Sequence, residues 1–108
     1  MGDAPRMTLP TLSVLSSLLE RRSDLVYGLE IAKATDLKSG TLYPILARLE
    51  RAGWVESSWE NVAASEAGRP RRRYYRLTGE GAESAINALS EASRRLRPGL
   101  LRPSEGFA

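Results

Sequence analysis

Between Leu42 and Trp59 the hydrophobic period changes from that of a helix to that of a strand, and no other feature constrains the fold as much. Leu42, Ile45, Leu46, Leu49 and Ala52 fall at i, i+3, i+4, i+7 and i+10, one face of a helix. Gly53 then stands where a glycine ends a helix. From Trp54 to Trp59 the period is two: Val55, Ser57 and Trp59 point one way, Trp54, Glu56 and Ser58 the other. Arg72 to Leu77 alternates again, with Arg73, Tyr75 and Leu77 on one face and Arg72, Tyr74 and Arg76 on the other. Two strands joined by a long polar connection, Asn61 to Gly68 and on to Pro70, read as a β-hairpin.

Helical spacing precedes and follows this block. Leu12, Leu15, Leu18 and Leu19 predict a helix over Leu9 to Arg22, with Pro10 tolerated in its first turn. A short helix is expected over Tyr27 to Thr35, with Asp36 and Leu37 in a turn. After the hairpin, Thr78 is a candidate N-cap, and Ala82, Ala85, Ile86, Leu89, Ala92 and Leu96 form an apolar stripe that Pro98 stops. The order is helix, helix, helix, hairpin, helix. It predicts a mainly α (α+β) winged helix-turn-helix: three helices plus a two-stranded β-hairpin wing, then a C-terminal dimerisation helix. The expected division is an N-terminal arm over 1–8, a winged domain over 9–78, the dimerisation helix over 79–97 and a flexible tail over 98–108. A generic small α+β domain is the bland alternative.

Composition removes whole classes of function. The chain contains no cysteine and no histidine, so thiolate metal sites, disulfides and Ser-His-Asp chemistry are excluded and no cofactor or metal is expected. At 108 residues there is room for about one domain and a modest core that a second subunit would help stabilise. No apolar run approaches the ~20 residues of a membrane span. MGDAPRM leads into a periodic rather than a continuous apolar segment, which predicts a cytoplasmic protein without a membrane partner. Sixteen Lys+Arg against thirteen Asp+Glu leave a net charge of +3. Its placement is the stronger signal.

Opposite the leucine stripe of the third helix lie Gly40, Thr41, Pro44, Ala47, Arg48 and Arg51, small at the N-terminal end and basic further on. A recognition helix sends its N-terminal residues to base edges in the major groove. Thr41 can bond a base or phosphate there. Ser39 is the expected N-cap, with the free first-turn N–H groups suited to a phosphate. Pro44 lacks a donor, and near a helix start it costs at most about one hydrogen bond. Arg48 and Arg51 suit phosphates; the competing expectation pairs them with Glu50. In the hairpin, Arg69, Arg71, Arg72, Arg73 and Arg76 include no acid among them. Arg69, Arg71 and Arg72 are the candidate wing contacts, since arginine enters a narrow, electronegative minor groove. Trp54, Trp59, Tyr74 and Tyr75 are expected to pack the core and hairpin. The last helix's stripe fits a partner helix from a second copy, or its own first helix.

YGLEIAKAT, SGTLYPILARLERAGWV and RRRYYRLTGEG, in that order, resemble the PadR-like family of bacterial transcriptional regulators from about Leu9 to Leu96. The resemblance implies a homodimeric regulator of double-stranded DNA, typically a repressor, often relieved by a small-molecule effector. It places Ser39, Gly40, Thr41, Tyr43 and Pro44 at the DNA end of the recognition helix, with Tyr43 on a backbone phosphate. Some relatives hold flat aromatic drugs between tryptophans at the dimer centre; Ala82 to Leu96 contains no aromatic residue. The alternative function is a winged-helix module that binds a protein or RNA through its basic face.

Overall fold

The computed structural model describes residues 5–63, 66 and 68–96. The expected tail over 98–108 and the first half of the expected N-terminal arm, residues 1–4, lie outside the described residues. The elements run α1 (Leu9–Glu20), β1 (Val26–Tyr27), α2 (Gly28–Thr35), α3 (Ser39–Arg51), β2 (Val55–Trp59), β3 (Arg73–Leu77) and α4 (Gly79–Arg95).

The expected helix-to-strand change is observed, and the turn between them has a definite mechanism. Gly53 adopts φ +81°, which a side chain would strain. Its N–H donates to the Glu50 carbonyl, and the Trp54 N–H donates to that of Leu49, both at 3.0 Å. This pair of bonds satisfies the last carbonyls of α3 and turns the chain into β2. Thr78 then ties the far end of the sheet to the same turn. Its N–H donates to the Trp54 carbonyl at 3.0 Å and its hydroxyl to the Gly53 carbonyl at 2.8 Å. The hydroxyl also accepts the Gly81 N–H at 2.9 Å, capping α4.

The wing is a three-stranded sheet rather than the expected two-stranded hairpin, with order β1-β3-β2 and both pairings antiparallel. Val26 pairs with Tyr75 and Tyr27 with Tyr74. Tyr27, expected in the second helix, is therefore a strand residue, with extended backbone at ψ 159°. Its N–H donates to the Glu30 carboxylate at 3.1 Å, so the helix begins one residue later. The first helix stops at Glu20, short of the expected Arg22, because Arg21 and Arg22 donate to the carbonyls of Leu18 and Leu19 three residues back.

The core lies between the helices and one face of the sheet. Val14, Leu15 and Leu18 of α1 meet Leu42, Ile45, Leu46 and Leu49 of α3, with Ile31, Val55, Tyr75 and Leu77 filling the space toward the sheet. Each fully buried leucine stabilises by about 1.5–3 kcal/mol. Burial here fixes which side of α3 faces solvent. Two residues expected on a dimer face, Ala82 and Ala85, are 4% and 0% exposed and belong to this core. Their methyl groups let α4 approach α1 and β3 closely. Ile86, Leu89, Ala92 and Leu96 remain partly or largely exposed.

Candidate nucleic-acid interface

The solvent face of α3 carries Ser39, Gly40, Thr41, Tyr43, Pro44, Arg48 and Arg51, all exposed. The N-cap is Lys38, with no side-chain cap bond, so Ser39 is the first helical residue rather than the expected cap. The N–H groups of Ser39 and Gly40 have no acceptor within the helix. Around Gly40 a side chain would meet nothing within 4 Å, so the fold leaves this spot open to an approaching surface. Pro44 is the sixth helical residue and leaves the Gly40 carbonyl without its helical donor.

Arg48 and Arg51 make no ion pair among the described residues. Glu50, their expected competitor, faces the sheet instead. It accepts the Ser57 hydroxyl at 2.6 Å and lies 3.7 Å from the Arg73 guanidinium. Arg76 is paired with Glu56 at 2.8 Å across the strands.

Between α3 and the wing an open groove of about 410 Å³ is lined by Tyr27, Gly28, Leu29, Tyr43, Trp59 and the run Arg69 to Arg73. The groove brings Tyr43 of α3 together with Arg69, Arg71 and Arg72 of the connection between β2 and β3. Ser39, Gly40, Thr41, Pro44, Arg48 and Arg51 lie outside it, on the exposed face of the same helix. The aromatic residues here orient the arginines. The Arg72 guanidinium stacks over the Tyr27 ring at 4.2 Å, and Tyr27 meets Tyr74 edge to face at 6.0 Å. Arg73 and Arg71 approach the Trp59 ring at 5.0 and 5.9 Å. Trp59 is 54% exposed, so of the expected core and hairpin packing it takes the hairpin part, in this arginine stack.

Glu60 is the acid that the arginine count overlooked. Its carboxylate accepts both Arg69 Nη groups, at 2.7 and 2.9 Å. The Arg69 fork, with help from the Arg72 N–H, pulls the Glu60 carboxyl down to about 2. Cross-strand position was the available signal: Trp59 pairs with Arg73, so the next residue faces Arg72. Tyr27, Gly28 and Leu29 carry no charge and had no comparable signal. No described group of carboxylates is placed to hold a metal ion, and no described helix is long and apolar enough to cross a membrane.

The arrangement is an open, arginine-rich face beside the N-terminal end of an exposed helix. Solved structures with a similar fold include transcriptional regulators. The structure of AbfR of Staphylococcus epidermidis is similar with a TM-score of 0.68 at 25% identity. That match covers 90% of this chain and 60% of AbfR, so the chain spans less than two thirds of that protein's length. A transcriptional regulator from Clostridium thermocellum is 33% identical with a TM-score of 0.63, over 81% of this chain and 84% of the other. A PadR family transcription regulator from hypervirulent Clostridium difficile R20291 is 35% identical with a TM-score of 0.58, over 74% and 84%. A comparison with curated proteins finds no match. Residues 14–87, well over half the chain, match the transcriptional regulator PadR-like family. The chain belongs to that family of transcriptional regulators.

Proposed function

We propose that the protein is a homodimeric repressor that binds a roughly palindromic operator through the exposed face of α3 and the wing. The observation that carries this is the groove in which Tyr43 faces Arg71 and Arg72, continuous with an exposed helix start free of acids. In this reading Ser39, Gly40, Thr41 and Pro44 approach the major groove. Tyr43, Arg48 and Arg51 meet backbone phosphates, and Arg71 and Arg72 run along the adjacent backbone or minor groove. The first-turn N–H groups of α3 favour an anion there.

A second apolar groove, of about 360 Å³, supports the dimer. It lies between α1 and α4 and is lined by Leu9, Leu12, Ser13, Ser16, Leu89, Ala92 and Leu96. Leu9 is 71% exposed and Leu96 39%, an apolar edge that a second copy would cover. Two copies related by a two-fold axis would set their recognition helices about one turn of DNA apart, roughly 34 Å. The test is Thr41→Ala and Tyr43→Ala, read by duplex affinity and by sedimentation. Each weakens duplex binding and leaves the dimer intact; loss of the dimer in either variant would overturn the assignment of faces.

A further inference from the structure

One acidic residue holds the base of the wing with three different groups. Glu60 follows directly on β2. Its N–H donates to the Arg72 carbonyl at 2.7 Å. Its own carbonyl accepts Arg71 Nε at 3.0 Å and Nη2 at 2.8 Å. Its carboxylate accepts the Arg69 fork and, at 3.2 Å, the Arg72 backbone N–H. The Glu60 side chain is 11% exposed against 35% for Arg69, so the acid is the covered partner and the arginine lies over it.

The wing arginines are therefore not equivalent. The two Arg69 donors that would grip a phosphate are the two that grip Glu60. Arg71 spends its bonds on a neutral carbonyl and makes no ion pair among the described residues. Arg72 stacks on Tyr27 and makes no ion pair among the described residues. Two roles for Glu60 follow from this geometry, with opposite consequences. As a stand-in for a phosphate it would compete with DNA for Arg69. As a clasp it would shape the wing. The backbone bonds decide between them: a competitor for one guanidinium has no use for the Arg72 amide or the Arg71 side chain, whereas a clasp needs both.

We propose that Glu60 is a positioning residue for DNA binding, its clasp on Arg69 fixing the wing so that Arg71 and Arg72 present the charge that meets phosphates. Arg69, expected among the DNA contacts, is an internal brace. This rests on the DNA-binding reading above and refines which wing residues carry it.

The test uses the full chain and a duplex spanning the region upstream of its own coding sequence. Glu60→Gln and Arg69→Gln each weaken binding roughly three- to tenfold. The double variant is no weaker than either single one, because both remove the same clasp. The slope of log K against log salt stays at the wild-type value in Arg69→Gln and becomes shallower by about two in Arg71→Gln and in Arg72→Gln, because each substitution removes a contact from both copies. Tighter binding by Glu60→Gln, or a slope shallower by about two in Arg69→Gln, would make Arg69 a phosphate ligand and overturn the proposal. Limited trypsin digestion without DNA tests the clasp separately. Both clasp variants are cut after Arg71 and Arg72 faster than wild type; equal rates also overturn it. Failure of wild type to bind any duplex would sink the DNA reading while leaving this digestion result standing.

Discussion

The phenol ring of Tyr43 lies against the α-carbon of Gly28, in the space that any side chain at position 28 would need. The start of α2 and the groove-facing side of α3 are thus fitted together through a missing Cβ. Tyr43 is 43% exposed, so its ring can swing outward if pushed. Gly28→Ala should displace the ring and change stability by less than about 1 kcal/mol, since alanine's better helix propensity offsets part of the crowding. Duplex affinity should fall by about as much as in Tyr43→Ala. Thermal unfolding and a binding titration on the two variants check this; unchanged affinity in Gly28→Ala would remove Tyr43 from the interface.

Gly81 presents a different obstacle. A Cβ there would collide with the backbone carbonyl of Trp54, which is fixed by the Thr78 N–H. Backbone cannot swing aside, so Gly81→Ala should cost about 1–3 kcal/mol. Urea unfolding measures it. The variant that remains folded should bind duplex normally, because the clash lies on the far side of α3 from its exposed face.

The Glu60 carboxyl gives a pH signature. It sits at about 2 in the folded protein against an ordinary value of 4.5. A depressed carboxyl contributes stability that is present above its ordinary range and is lost as pH falls from there through the folded value. The clasp should therefore persist at pH 4, with its loss centred near pH 2. Carbon-detected NMR of the glutamate carboxyls should show one residue titrating near 2 in wild type and within the ordinary carboxylate range in Arg69→Gln. A Glu60 resonance that titrates with the other glutamates in wild type would show that no such pair forms.

Positions 85 and 89, one helical turn apart on α4, should separate folding from assembly. Ala85 is fully buried in the chain's own core, so Ala85→Leu overpacks it and should cost about 1–3 kcal/mol. Leu89 lines the open groove beside α1, so Leu89→Lys should preserve the helical circular dichroism and shift sedimentation from dimer to monomer. A Leu89→Lys protein that stays dimeric would move the interface elsewhere.

Much of this architecture was legible in the sequence, because α1, α3 and α4 bury residues at helical spacing. The Leu42, Ile45, Leu46 and Leu49 stripe is the buried side of α3, which fixed its exposed side in advance. Val26 and Tyr27 were missed because a two-residue strand has no period; only the pairing with Tyr74 and Tyr75 makes it one. The assignment of Ala82 and Ala85 failed because an apolar stripe does not say which neighbour covers it, and alanine serves close packing as well as an interface. The Arg69–Glu60 pair was not foreseen because the acid lies nine residues back across the sheet. Gly28 acts through what it leaves empty, which only the fold shows.

The salt dependence of duplex binding tests the central claim most directly. If Arg48, Arg51, Arg71 and Arg72 of both copies each neutralise one phosphate, log K should fall linearly with log salt at a slope of about −7. A steep slope that becomes shallower by about two for each arginine position changed, since both copies lose the contact, is the predicted result. A slope near zero in the wild-type protein would contradict the account, and would leave the basic face as a docking surface for something other than DNA.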